Sequence, residues 1–156
     1  MNQTDFHRTL EEYYAIFIKI NGLYSAFARE RGLSYHALFI LYAIYHSGDG
    51  CTPTEISNRW LIPKQTVNSV LRSFDQRGFV RYETCPRDRR GKQISLTPAG
   101  REYARPLLEG LYAAETAALE KMGAEAVRQL IGYSRLFYET MMEETREHDS
   151  EKGILE

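Results

Sequence analysis

Two short helical segments in tandem, each opened by a proline signal, constrain this chain more than any other feature. The sequence "TPTE" at residues 52–55 is a capping box with proline at the first helical position, so a helix begins there and ends near Trp60. After the tight connection "WLIP", Pro63 opens a second helix, which ends at Gly78. Two helices joined by so short a connection predict a helix-turn-helix.

The second of these helices separates its residue types onto two faces. An apolar stripe recurs at helical spacing, formed by Val67, Val70, Leu71 and Phe74. The opposite face is polar without an acidic residue, and such amide, hydroxyl and guanidinium groups hydrogen-bond to base edges and phosphates. An ordinary solvated helix face is the alternative, although such a face commonly carries Glu–Lys pairs. We therefore predict a recognition helix whose DNA-binding residues are Lys64, Gln65, Thr66, Asn68, Ser69 and Arg72.

A strongly basic hairpin follows the recognition helix. Alternating residues predict strands at Phe79–Cys85 and Lys92–Thr97, joined by the loop "PRDRRG". Three guanidinium groups on one short loop repel one another, but they would release counterions from a phosphate backbone and suit a narrow minor groove. We predict that this wing binds DNA through Arg87, Arg89 and Arg90, with Asp88 orienting a neighbouring guanidinium; an ordinary charged turn is the alternative.

Charge is strongly segregated along the chain, although the net charge is only -1. Residues 56–101 hold ten Lys or Arg against three Asp or Glu, while the remainder holds ten against eighteen. A basic block inside an acidic chain is typical of a polyanion-binding site. The sequence has no apolar run long enough for a membrane span, no secretory signal and only two cysteines, so we expect a cytoplasmic protein.

Helical periodicity extends on both sides of the winged segment. A long first helix is predicted at Phe6–Glu30, a buried second helix at Tyr35–His46, a fifth helix from Pro98 to Met122, and a sixth at Glu125–Glu147. Pro106 is expected to kink or restart the fifth helix. The predicted fold is mainly α with a small β-wing. Its predicted parts are a dimerisation region (1–33 and 101–148), a winged helix-turn-helix domain (34–100) and a flexible tail (149–156).

The wing and the helix-turn-helix resemble the MarR family of bacterial transcription regulators. The segment "DRRGKQISLTPAG" at residues 88–100 is similar to the family's wing signature, and residues 52–80 are similar to its helix-turn-helix. The resemblance implies that Arg90 enters the minor groove, that Asp88 braces it, and that the first, fifth and sixth helices form a homodimer. Pro106 and Trp60 depart from the family pattern.

The resemblance also implies a small-molecule pocket between the dimer helices and the winged domain. Tyrosines are concentrated on the first two helices, and a tyrosine suits a phenolic or aromatic ligand, although such residues are more often core or interface residues. The candidate pocket residues are Tyr13, Phe17, Tyr24, Tyr42 and His46.

These features predict a dimeric, sequence-specific transcription regulator without a cofactor, a metal or enzymatic activity. We expect a repressor that a small-molecule ligand releases from a pseudo-palindromic double-stranded operator. One alternative is a winged-helix protein-interaction module that does not bind DNA. Another is a redox-responsive regulator that uses Cys85 or Cys51, although either cysteine could simply be a small half-buried residue.

Overall fold

The computed structural model describes residues 3–48, 50–84 and 92–152, with side chains as far as residue 146. Within those residues the chain forms six helices and one antiparallel two-stranded sheet, which confirms the predicted fold class. The elements are α1 (Gln3–Glu30), α2 (Tyr35–His46), α3 (Pro53–Trp60), α4 (Lys64–Gln76), β1 (Val80–Thr84), β2 (Lys92–Leu96), α5 (Pro98–Met122) and α6 (Ala124–Lys152).

Packing divides the chain into two compact units, Met1–Leu108 and Glu109–Glu156. The first unit contains α1 through β2 and the start of α5. The predicted division into a dimerisation region, a winged domain and a tail is based on function rather than packing, and it stays a prediction.

Helix α2 forms the centre of the first unit, as its lack of a polar face predicts. It packs against α1, α3, α4 and β2. The core around it is mostly aliphatic or aromatic, and includes Leu38, Ile40, Leu41, Ile44, Ile56, Val67, Leu71, Phe74 and Ile94, each no more than 2% exposed. Burying these apolar side chains is the main stabilising contribution to the winged domain.

Side-chain caps fix where α2 and α3 begin. At α2, the Ala37 backbone N–H donates to Ser34 Oγ at 3.1 Å. At α3 the predicted capping box is complete, because the Glu55 N–H donates to Thr52 Oγ1 at 3.1 Å and the Thr52 N–H donates to the Glu55 carboxylate at 2.7 Å. Such reciprocal bonds satisfy two backbone donors that the helix itself leaves unpaired.

The wing strands pair in register from Val80–Leu96 to Thr84–Lys92. Cys51 adds a short bridge on the other side of β2, since its backbone exchanges hydrogen bonds of 3.0 and 2.8 Å with Ile94. The wing base is therefore attached to the α2–α3 connection as well as to α4.

Helices α5 and α6 differ from the predictions at two points. Helix α5 continues through Pro106, so the restart predicted as one possibility there does not occur. Helix α6 continues to Lys152, beyond the predicted end at Glu147. No helix among the described residues is long and apolar enough to cross a membrane.

Candidate nucleic-acid interface

The two faces predicted for α4 are both present in the structure. Val67, Leu71 and Phe74 are buried and Val70 is half-buried, so the apolar stripe anchors the helix to the core. On the opposite face the side chains of Gln65, Asn68, Ser69 and Arg72 are exposed, as is that of Lys64, whereas Thr66 is half-buried. We call Gln65, Asn68, Ser69 and Arg72 the recognition face.

The cations of α4 are free to bind an anion. Lys64 and Arg72 make no ion pair with any residue in the described parts of the chain. A phosphate could therefore approach them without an internal salt bridge having to break first. Arg81 of β1 differs, because its Nε donates to Ser95 Oγ at 2.9 Å and lies 3.1 Å from the Glu83 carboxylate.

Two residues that the sequence did not single out extend this surface onto the sheet. Tyr82 of β1 and Lys92 of β2 line a shallow cavity of about 430 Å³ together with Asn68 and Arg72 of α4. The Lys92 ammonium lies 5.9 Å from the centre of the Tyr82 ring, a weak cation–π contact. Partial burial raises the pKa of the Tyr82 phenol, and the charge of Asp75 raises it further, so the phenol keeps the proton with which it can donate a hydrogen bond.

The predicted wing residues Arg87, Asp88, Arg89 and Arg90 lie outside the described residues. The strands on either side are described up to Thr84 and from Lys92. The DNA-binding roles of the arginines and the bracing role of Asp88 stay predictions.

A cavity of about 790 Å³ lies between α2 and α3 in the first unit. Its lining includes Tyr42 and His46, two of the predicted pocket residues, together with Arg59 and Trp60. The other three predicted residues, Tyr13, Phe17 and Tyr24, are not part of the lining. Tyr24 lies one layer behind it, because its ring contacts Phe39 at 5.5 Å and Phe39 contacts Trp60 at 5.3 Å.

Tyr13 and Phe17 lie on the exposed part of α1. Their rings stack on one another at 6.3 Å. The cavity in the first unit therefore does not support the prediction that Tyr13 and Phe17 line a ligand pocket.

Cys51 has the environment of an unreactive thiol. Burial raises the pKa of the Cys51 thiol above its usual value. A hydrogen bond with Ser47 opposes this shift, and the charge of the Glu55 carboxylate adds to it. Since the thiolate is the reactive form, a raised pKa disfavours the redox alternative at Cys51. Cys85 lies outside the described residues. Within the described parts of the chain, no group of three or more His, Cys, Asp or Glu side chains could hold a metal ion.

A helix-turn-helix followed by a two-stranded wing, with an exposed polar face on its second helix, defines the class of winged helix-turn-helix DNA-binding proteins. Comparison with known proteins shows which family this segment resembles. The MarR family model matches residues 31–91, the segment that contains α2, α3, α4 and β1. The winged helix-turn-helix segment of the chain is therefore similar to the MarR family of transcription regulators.

Individual relatives agree with this placement. The HTH-type transcriptional repressor YetL of Bacillus subtilis is 27% identical over 121 residues, which are 75% of this chain and 72% of that protein. The structure of NMB1585, a MarR family regulator from Neisseria meningitidis, is 25% identical with a TM-score of 0.78, and the match covers 95% of this chain and 99% of that one. The S. aureus MepR–DNA complex has a TM-score of 0.69 at 19% identity, covering 82% and 97% of the two chains. The likeness to MepR shows the fold alone.

Proposed function

We propose that this protein is a homodimeric, sequence-specific repressor that binds a pseudo-palindromic operator through α4 and the wing. The observation that carries the proposal is the recognition face of α4. It is exposed and acid-free, while the other face of the helix is held by the core. In helix-turn-helix proteins the second helix enters the major groove, which is where amide and guanidinium groups distinguish base pairs.

The proposed contacts fall into two groups. Asn68 and Arg72 would contact base edges, since Asn suits adenine and Arg suits guanine. The remaining groups would hold phosphates or enter the minor groove, and they are Lys64, Gln65, Thr66 and Ser69 on α4 and Arg87, Arg89 and Arg90 on the wing.

A two-fold dimer would place two recognition helices about one DNA turn, roughly 34–36 Å, apart. Exposed apolar surface supports dimerisation. The first unit exposes large apolar side chains along α1, and the second exposes them along α5 and α6. They include Leu10, Phe17, Leu23, Tyr112, Ile131, Leu136 and Phe137. A soluble chain rarely leaves so many apolar side chains facing water unless another surface covers them.

The cavity between α2 and α3 is our candidate for the effector site. Aromatic rings of Tyr42 and Trp60 offer a surface to a planar ligand, and Arg59 and His46 offer positive or hydrogen-bonding groups. A ligand wedged between α2 and α3 would favour one spacing of the two recognition helices over another and so lower operator affinity. The relative YetL is named a repressor, which supports repression rather than activation as the function of this protein.

Salt dependence of binding to duplex DNA tests the proposal. For a phosphate-binding regulator, the logarithm of the association constant falls with the logarithm of salt concentration by about 0.9 for each phosphate neutralised. We expect a steep slope on an operator selected by the protein from random duplexes, and weaker binding to an unrelated duplex. A flat response, or no binding at low salt, would instead favour a protein-interaction module.

A further inference from the structure

Leu61, in the turn between α3 and α4, combines two features that the fold alone does not explain. Its φ of 50° is the one positive φ of a non-glycine residue within the described ranges. A β-carbon makes this left-handed region unfavourable, so glycine or asparagine is the usual occupant. Its side chain is also 88% exposed, the largest fraction for any large apolar side chain in the described structure.

The turn requires this backbone conformation whichever residue occupies position 61. The Leu61 and Ile62 N–H groups both donate to the Ser57 carbonyl, and Ser57 Oγ donates to the Ile62 carbonyl at 2.8 Å. Ile62 is buried and holds the end of the turn in the core. A glycine would satisfy the same hydrogen bonds without the strain, and the protein core does not use the leucine side chain.

Dimerisation through the long helices does not account for this side chain. In the described parts of the chain, the other exposed large apolar residues lie on α1, α5 and α6, apart from Tyr82 on the wing. Leu61 lies instead at the entrance to the recognition helix, three residues before Lys64. Its surroundings are basic, because Arg59 and Lys64 are exposed on either side and no Asp or Glu occurs between Ile56 and Phe74.

We propose that Leu61 is an apolar DNA contact, which packs against a thymine methyl group or the carbons of a deoxyribose when α4 enters the major groove. This inference rests on the proposed DNA-binding function. Apolar side chains recognise thymine through its C5 methyl group, and a leucine covered by DNA would no longer be exposed to water. The strained leucine thus lowers the stability of the free protein and raises its affinity for DNA.

Replacing Leu61 should change the stability of the free protein and its affinity for DNA in opposite directions. Leu61→Gly and Leu61→Asn should each raise the melting temperature by about 2–4 °C, because both residues tolerate a positive φ. The same variants should bind the operator about tenfold more weakly, because the apolar contact is lost. Leu61→Met keeps an apolar side chain and the strain, so it should stay close to the parent protein in both measurements.

Operators with thymine replaced by uracil, one position at a time, separate the two possible contacts. Uracil lacks only the C5 methyl group. If Leu61 packs on that methyl group, one substitution per half-site weakens binding by the parent protein but not by Leu61→Gly. If it packs on a deoxyribose, no single substitution does so, while Leu61→Gly still binds more weakly than the parent.

Two results would overturn the inference, and they are distinguishable. If the parent protein binds its selected operator with a steep salt slope and Leu61→Gly and Leu61→Asn bind equally well, Leu61 is only a strained turn residue and the proposed function stands. If the parent protein binds no duplex DNA, both the inference and the proposed function are wrong.

Discussion

Gly100, in the first turn of α5, shows how one residue joins the wing to the helix that follows it. A β-carbon at this position would lie 2.0 Å from the carbonyl oxygen of Phe79, which is a backbone atom and cannot rotate away. The neighbouring Thr97 accepts from the Gly100 N–H at 3.0 Å and donates to the Gly78 carbonyl at 2.6 Å. The close approach of two backbones, rather than a special φ, is the reason for glycine here.

Replacing this glycine therefore forces the wing and α5 apart. Gly100→Ala should destabilise the protein by about 2–4 kcal/mol, as overpacking does where backbone atoms must move. Gly110→Ala, in the same helix, is the matched control, because nothing lies within 4 Å of its β-carbon position. That control should be neutral or stabilising by up to about 1 kcal/mol. Urea unfolding at one protein concentration measures both, and equal stabilities would contradict the proposed steric role.

At the scale of elements, an aromatic stack connects the end of α4 to α5. The Arg77 guanidinium, directly after α4, lies 4.4 Å from the centre of the Phe79 ring and 4.8 Å from that of Tyr103. The Phe79 and Tyr103 rings stack at 4.6 Å, and the Tyr103 hydroxyl donates to the Arg31 carbonyl after α1 at 3.4 Å. The orientation of the recognition helix is thus connected to α5 and to the end of α1.

A double-mutant cycle tests whether the stack acts as a unit. Arg77→Ala and Tyr103→Leu should show a coupling of about 0.5–1 kcal/mol in unfolding free energy, the usual range for an exposed cation–π contact. Arg101→Ala combined with Tyr103→Leu is the control, because the Arg101 guanidinium lies over no ring in the described residues. If both cycles are additive within about 0.3 kcal/mol, the stack does not couple these elements.

Signals from neighbouring residues predicted the helices and strands well. The features that the sequence did not predict depend on contacts between residues far apart in the chain. The capping box at Thr52 and the stop at Gly78 depend on neighbouring residues, so the start of α3 and the end of α4 follow from the sequence. Pro106 also gives a local signal, yet α5 continues through it because one missing backbone hydrogen bond does not outweigh the packing of a long helix.

The extension of the α4 surface onto the sheet could not be predicted from neighbouring residues. Tyr82 and Lys92 meet Arg72 only after the hairpin folds back beside α4, and no periodicity links positions on different elements. A lysine directly after the basic loop was the one available signal for Lys92. The cavity beside Trp60 likewise depends on how α2 and α3 pack, which explains why only Tyr42 and His46 of the predicted pocket line it.

For the whole molecule, the apolar surface of the long helices predicts the state of assembly. Light scattering at micromolar concentration should give about twice the 18.1 kDa chain mass. Introducing charge into the α1 stripe with Leu10→Glu and Phe17→Glu should shift the protein toward monomer, since both side chains are exposed in the single chain. Glu12→Ala with Lys19→Ala, on the polar face of the same helix, should leave the mass unchanged. A parent protein that scatters as a well-folded monomer would rule out the two-fold model.

The central claim is that the recognition face of α4 selects the DNA sequence. The most direct measurement is the affinity of Asn68→Ala and Arg72→Ala for the selected operator and for its single base-pair variants. Asn58→Ala and Arg105→Ala are the matched controls, because they remove the same groups from exposed positions outside α4. Asn68→Ala and Arg72→Ala should each weaken operator binding by about 1–3 kcal/mol and remove the preference at one base-pair position per half-site, while the controls bind like the parent protein. If Asn68→Ala and Arg72→Ala bind the operator with the affinity and base preference of the parent protein, α4 is not the recognition helix and the account is wrong.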